Sequence, residues 1–237
     1  MRTVSGFGRQ VTRAVSRFLP RPSSSPAGFT TSATATVDRR PLLTDRLGPQ
    51  HHAGAVLDQV DGTTCGSAVL VALAAWADPA ELARLETAPA GGGQALAGTG
   101  FGARYDARQK EVHRQTNRIW PQALGTTPWG AARWLRDHVP AAGRYRVRLA
   151  DDTSASDVAA LVAAVGAALE SGRPVPLVVG SFVPRHYVLA LRADSGGWRV
   201  YEPTSGQVRL VDLATVHERR LAPVLGFDRL HAVLLPA

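Results

Sequence analysis

The spacing of apolar residues divides the chain into a first part of helices and a second part of strands. An uninterrupted apolar run predicts a helix from Cys65 to about Trp76, and a second helix follows from Pro79 to about Thr87. Helical spacing returns in three later stretches, which are 103–118, 128–139 and 151–172. Period-two spacing predicts six strands: 145–149, 175–182, 185–193, 197–203, 206–212 and 230–236.

The order of these elements indicates the fold class. Most helices precede most strands, which is typical of α+β proteins and not of alternating α/β proteins. Tight turns such as "DSGG" and "TSG" join the middle strands, so we expect an antiparallel sheet. The glycine-rich stretch 88–102 lacks the preceding strand that a dinucleotide-binding fingerprint requires, and we predict a flexible loop there.

The first 48 residues differ from the rest of the chain. Apolar residues at three- and four-residue steps, with arginines between them, predict a basic amphipathic helix over residues 2–19. A stretch rich in Pro, Ser, Thr and Ala follows and is typical of a flexible linker. We therefore expect residues 1–48 to be an appendage and 49–237 to be the folded domain. Residues 2–19 either dock weakly on a membrane surface or a protein partner, or form a disordered tail.

Charge and composition narrow the function classes. The net charge is +8, but eight arginines and two aspartates within residues 1–50 account for +6 of it. The remaining chain is nearly neutral, so we expect no nucleic-acid partner. No apolar stretch approaches the roughly 18 residues of a membrane-spanning helix, and the N-terminus lacks the apolar region of a secretory signal. The expected location is the cytoplasm, with peripheral membrane contact through residues 2–19.

The single cysteine and the spacing of the histidines do not match known disulfide patterns or metal-binding motifs. One cysteine allows no internal disulfide and no cysteine zinc cage. The histidines outside the candidate site show no ligand motif: His51, His52, His113, His138, His217 and His231. We expect no metal ion and no cofactor.

Cys65 opens the long apolar helix, in the stretch "GTTCGSAVLVALAAWAD". Backbone N–H groups and the helix dipole at a first turn favour the reactive thiolate form. Thr63 or Thr64 is placed to cap the helix, and Gly66 and Ser67 are small enough to leave the sulfur open on one side. The alternative is an inert cysteine that only fills the core.

Three further residues supply what acyl transfer by a thiol requires. Gln59 lies six positions before Cys65, where its amide could stabilise an oxyanion. His186, on a strand face with Val188 and Ala190, is the candidate base. Glu202, on the next strand, could orient its ring. Each residue alone also has an ordinary structural interpretation.

Together, the stretches "DQVDGTTCGSAVL", "RHYVLALR" and "WRVYEPTSGQVRLV" resemble the papain-like cysteine peptidases, and most closely their bacterial C39-like branch. The resemblance implies a papain-like fold, with the nucleophile at a helix start and the helical part packed on a C-terminal antiparallel sheet. It implies a cysteine peptidase or a related amide-bond acyl-transfer enzyme acting on a peptide or protein. On this resemblance Cys65 is the nucleophile, His186 the base, Gln59 the oxyanion-hole residue and Glu202 the third member.

Departures from the family pattern leave other functions open. Glu202 stands where the family has Asp, so Glu202→Asp is expected to be tolerated, and Ser67 stands where C39-like sequences often have proline. The Cys–His separation of 121 positions is also shorter than in papain relatives. A catalytically inactive papain-like module that binds peptides is the alternative function. Transglutaminase-like enzymes share the Cys–His–acid order but do not predict Gln59.

Overall fold

In a computed structural model of the protein, the structure describes residues 3, 41–87, 100–117 and 125–237. The predicted amphipathic helix over residues 2–19, apart from Thr3, lies outside the described residues. So does most of the predicted linker, together with residues 88–99 of the glycine-rich loop.

The described residues form seven α-helices and nine strands. The helices are α1 Cys65–Ala77, α2 Pro79–Glu86, α3 Phe101–Thr116, α4 Pro128–His138, α5 Ala155–Glu170, α6 Leu213–His217 and α7 Ala222–Leu225. The strands are β1 Gly48–Pro49, β2 His51–His52, β3 Ala55–Val56, β4 Tyr145–Leu149, β5 Val175–Gly180, β6 Pro184–Asp194, β7 Gly197–Glu202, β8 Gln207–Asp212 and β9 Arg229–Pro236. The sequence did not predict β1–β3, α6 and α7, because elements of two to five residues carry too few periods of the apolar pattern.

Seven strands make one antiparallel sheet in the order β1-β8-β7-β6-β5-β9-β4, and β2 pairs only with β3. This arrangement confirms the α+β class and the antiparallel sheet. Helices cover both faces of the sheet. α1 to α4 pack on the face that carries Tyr187, Leu189 and Tyr201. α5, α6 and α7 pack on the opposite face, which carries Val188 and Val200.

α1 is the central helix of the first layer. Every residue from Cys65 to Ala75 is buried, because this stretch carries no charged side chain and can pack on all sides. No single helix of the described residues has both the length and the apolar composition that crossing a membrane requires. α1 and α2 pass that test only as a pair bent by 115°, by length and composition alone.

The folded domain extends further toward the N-terminus than the sequence predicted. Residues 41–48 were expected to belong to the appendage, but Leu42 is 3% exposed and lies in the core cluster beside α1. Asp45 forms an ion pair with Arg192 of β6 at 2.9 Å. The Oε1 atom of Gln50 accepts a hydrogen bond from the Thr44 backbone at 2.9 Å. The stretch carried a weak signal because its three leucines, Leu42, Leu43 and Leu47, are too few to show helical or strand spacing.

Leu42→Ala should therefore lower the free energy of unfolding by about 2–4 kcal/mol, since it removes buried methyl groups and leaves a cavity. Leu47→Ala is the matched control, because Leu47 is 54% exposed and should change stability by less than about 0.5 kcal/mol. Urea denaturation measures both. Equal changes in the free energy of unfolding for the two substitutions would indicate that residues 41–48 are not part of the folded domain.

Candidate active site

The loop before α1 folds into a turn centred on Asp61. Its carboxylate accepts hydrogen bonds from the backbone N–H of Thr63 at 2.8 Å and from the Thr63 hydroxyl at 2.7 Å. Burial alone raises the pKa of Asp61, but the backbone and hydroxyl hydrogen bonds from Thr63 outweigh it and lower the pKa. The carbonyl of Asp61 accepts from the Thr64 hydroxyl at 3.0 Å. The charged turn fixes where the helix begins.

Thr64 occupies the N-cap position of α1, but its hydroxyl bonds back to Asp61. The described residues supply no side-chain hydrogen bond from Thr64 to the first turn of α1. The sequence had suggested Thr63 or Thr64 as a capping side chain, and both hydroxyls are used inside the Asp61 turn instead. The first-turn N–H groups of α1 therefore remain oriented toward the helix start, where Cys65 lies and where the dipole favours negative charge.

His186 and Glu202 lie on neighbouring strands. His186 is the third residue of β6, and Glu202 is the last residue of β7. β6 pairs with β7 so that Leu189 faces Tyr201, and continuing this register places Glu202 on the face of His186, offset by about two residues. His186 Nε2 lies 2.8 Å from Glu202 Oε1. Both side chains are buried, at 7% and 6% exposure.

Strand alternation places His186 on the face opposite α1, yet interactions with Cys65 are among the causes that raise the pKa of its ring. Cys65 is the first residue of α1, and His186 is the third residue of β6. The β5–β6 register also shifts between Val179 and Gly180, opposite the start of β6. The alternation of side chains along a regular strand is therefore not sufficient to predict the position of the imidazole ring.

Four donors surround the Glu202 carboxylate. Oε1 accepts from His186 Nε2 and from the Thr204 backbone N–H, at 2.8 Å each. Oε2 accepts from the Ser205 backbone N–H at 3.0 Å and from the Ser205 hydroxyl at 2.7 Å. Burial alone raises the pKa of Glu202, but the hydrogen bonds from His186, Ser205 and Thr204 lower it from 4.5 to about 2. Glu202 is therefore an anion at every physiological pH.

Because that anion only accepts, His186 Nε2 must carry a proton, and Nδ1 is the ring nitrogen left for the sulfur. Burial alone lowers the pKa of His186, but hydrogen bonds and charge interactions with Cys65 and Glu202 raise it from 6.5 to about 9. The imidazolium is thus stabilised between two groups that can both be negative. Near neutral pH His186 is therefore held as an imidazolium.

Gln59 is held against the same turn that binds Glu202. Its backbone N–H donates to the Pro203 carbonyl at 2.8 Å, and its Oε1 accepts from the Thr204 hydroxyl at 3.3 Å. Its Nε2 donates to the Asp61 carbonyl at 2.8 Å, and the Thr64 N–H donates to that same carbonyl at 3.3 Å. The amide nitrogen therefore faces the start of α1, with a second hydrogen beyond the one that Asp61 accepts.

The sequence reasoning missed several side chains around this site. Thr204 and Ser205, in the turn after Glu202, could have been recognised because hydroxyl residues after a carboxylate commonly bond back to it. Tyr187 lies in the core cluster with Cys65, and burial and then the charge of Cys65 raise its pKa well above 10. Among the described residues the Tyr187 hydroxyl has no hydrogen-bond partner.

The expectation that the small residues Gly66 and Ser67 leave the sulfur open on one side stays a prediction. Both are buried, and a Cβ on Gly66 would lie 3.0 Å from Thr126 Cβ and 3.2 Å from a ring carbon of Tyr187. Glycine is required at this position because α1 packs closely against those two side chains.

Within the described ranges, no group of three or more His, Cys, Asp or Glu side chains is arranged to hold a metal ion. Comparisons with protein-family models, with curated proteins and with solved structures found no match to this chain.

Proposed function

We propose that the protein is a papain-like cysteine peptidase, or a related enzyme that transfers the acyl group of an amide bond. The observation that carries the proposal is the connected series Cys65, His186 and Glu202 at the first turn of a buried helix. A nucleophile, a base and an orienting carboxylate in this order are the parts of a catalytic triad. The connection between Glu202 and His186 is made by a hydrogen bond of 2.8 Å.

In the first step the Cys65 thiolate attacks the carbonyl carbon of a peptide or amide bond. The carbonyl oxygen becomes negative, and the Gln59 amide and the backbone N–H of Cys65 are the donors that stabilise it. The tetrahedral species collapses as the C–N bond breaks. His186 gives its Nδ1 proton to the leaving nitrogen, so an amine departs and a thioester remains on Cys65.

In the second step, neutral His186 removes a proton from water, which attacks the thioester carbonyl. The C–S bond breaks, a carboxylic acid is released, and the thiolate–imidazolium pair forms again. Glu202 keeps the proton on Nε2 in both steps, so Nδ1 alone exchanges protons with the substrate. An amine in place of water would give acyl transfer with the same residues.

The layered arrangement supports the papain-like assignment. The nucleophile begins the long central helix, and the base and the acid come from consecutive antiparallel strands packed on that helix's layer. The alternative, an inactive module that binds peptides, would not need a buried carboxylate with four donors beside the histidine.

The test is incubation of the protein with a peptide mixture from digested, denatured proteins, followed by mass spectrometry of new peptide termini. Wild type should generate new termini, and Cys65→Ala should lower their yield by at least about a thousandfold. Equal cleavage by Cys65→Ala would overturn the proposal. Peptides retained by the wild type but left uncut would assign the chain to the binding module instead.

A further inference from the structure

Gln109 of α3 contacts the loop that carries Gln59. Gln109 is fully buried. Its Oε1 accepts a hydrogen bond from the backbone N–H of Val60 at 3.2 Å, and its Nε2 donates to the backbone carbonyl of Asp58 at 2.9 Å. These two backbone groups belong to the residues directly before and after Gln59. The single buried amide of Gln109 therefore bonds to the backbone on both sides of Gln59, as the backbone of a neighbouring strand would.

The other side of Gln59 is held by the sheet. Its N–H donates to the Pro203 carbonyl at 2.8 Å. One residue earlier than Asp58, the Leu57 carbonyl accepts from the Tyr201 hydroxyl at 2.7 Å. The backbone of residues 57–60 is thus fixed between α3 on one side and β7 with its following turn on the other.

Apolar core residues surround the side chain of Gln109 on the same side of α3. Tyr105 and Val112 lie on the same side of α3, at 1% and 0% exposure, and enclose it within the core. A buried amide satisfies its donor and acceptor only with matching partners, and the loop backbone supplies one of each. Removing the amide would leave the Val60 N–H and the Asp58 carbonyl without this partner.

We propose that Gln109 is a positioning residue for oxyanion stabilisation: it fixes the backbone on both sides of Gln59 so that the Gln59 amide meets the developing negative charge. The inference rests on the proposed function and adds a residue from α3, a helix that the motif resemblance does not cover. Oxyanion donors act through their fixed geometry, and a loop that moves by about 1 Å loses much of that stabilisation. The thiolate–imidazolium pair depends on other residues and should form without Gln109.

This separation provides the test. Iodoacetamide reacts with the Cys65 thiolate by displacement and creates no oxyanion. A peptide aldehyde adds to Cys65 to give a tetrahedral hemithioacetal whose oxygen occupies the oxyanion position. The aldehyde should carry a sequence that the wild type cleaves in the peptide-mixture experiment. We expect Gln109→Met to leave the alkylation rate within about twofold of wild type and to weaken aldehyde binding about tenfold or more.

Three variants complete the design. Gln115→Met is the matched control on the same helix, because Gln115 bonds to Trp134 and Glu111 and not to the loop. Gln109→Glu keeps the acceptor for Val60 and loses the donor for Asp58, so it carries the test if Gln109→Met does not fold. Gln59→Ala should weaken aldehyde binding as well, and adding Gln109→Met to it should cause little further loss.

The possible outcomes are distinct. Unchanged aldehyde binding in a folded Gln109 variant overturns the inference and leaves the proposed function intact. Parallel loss of alkylation and aldehyde binding also overturns it, because Gln109 would then act on the triad or on the fold as a whole. Full additivity of the Gln59 and Gln109 effects overturns it too. A wild type that neither cleaves peptides nor binds the aldehyde removes the proposed function itself.

Discussion

His186→Gln should slow the alkylation of Cys65 by iodoacetamide about a hundredfold at about pH 6.5. In the wild type, the imidazolium stabilises the thiolate, and the pKa of His186 near 9 keeps the ring protonated across the neutral range. Without the ring the sulfur loses this cationic partner, and a free thiol is only about 1% thiolate at that pH. The rate profile of the variant should rise toward alkaline pH, whereas that of the wild type should already be high near neutrality.

The rate of amide cleavage should depend on pH in a different direction from the rate of alkylation. Amide cleavage needs the imidazolium as the acid, so its rate should fall as pH rises through about 9, the pKa of His186. Alkylation needs only the thiolate and should not fall there. His138→Gln is the matched control, since His138 bonds to the backbone of α4 and has no contact with the site. Identical alkylation profiles of wild type and His186→Gln would contradict the ion pair.

Glu202→Gln should lower both the stability and the activity of the protein. All four groups around the carboxylate are donors, so an amide NH₂ in place of either oxygen would face a donor in a buried site. The lowering of the Glu202 pKa from 4.5 to about 2 corresponds to about 3 kcal/mol of folding free energy at neutral pH. Urea denaturation at pH 7 should show a loss of this order.

The pH dependence of stability checks the same carboxylate. A group whose pKa is lowered on folding stabilises the protein above its unfolded value, so this contribution should disappear as pH falls from about 4.5 toward about 2. The difference between wild type and Glu202→Gln should shrink over that window. Glu218→Gln is the control, because Glu218 is half exposed and, among the described residues, forms an ion pair only with Arg220. A pH-independent difference would mean that the ionised carboxylate is not what stabilises the turn.

The structure also changes the expectation for Glu202→Asp. The family resemblance suggested that aspartate would be tolerated. In the structure one carboxylate joins His186 to the Thr204–Ser205 turn, and a side chain shorter by one methylene cannot keep both sets of bonds without moving the backbone. We expect Glu202→Asp to retain the fold and to lose part of the activity.

The members of the site could be predicted because each marks the end of a recognisable element. Cys65 opens an apolar run, His186 stands near the start of the most regular alternating strand, and Glu202 precedes a proline turn. Their contact could not be derived in the same way. Period two assigns His186 to the face away from α1, and the shift in the β5–β6 register between Val179 and Gly180 has no local sequence signal.

Partners that depend on packing between distant elements were beyond the sequence. Tyr187 reads as one apolar position of β6, and nothing local shows that it lies against Gly66. The sequence gives one weak indication of Gln109, because this polar residue lies between Tyr105 and Val112 on the apolar side of α3. A polar residue on a buried stripe needs a partner, but the identity of that partner is a property of the folded chain.

The position of β9 has a consequence for how the protein is made. Among the described strands, β4 pairs only with β9, which lies between β4 and β5 although about 80 residues separate β4 from β9 in sequence. As the chain emerges from the ribosome, β4 and the helix packed on it must wait without a strand partner until β9 has been synthesised. β5, β6 and β7 are made before that moment and can pair with one another, so addition of β4 to the sheet is expected to be a late folding step that depends on contacts between residues distant in sequence.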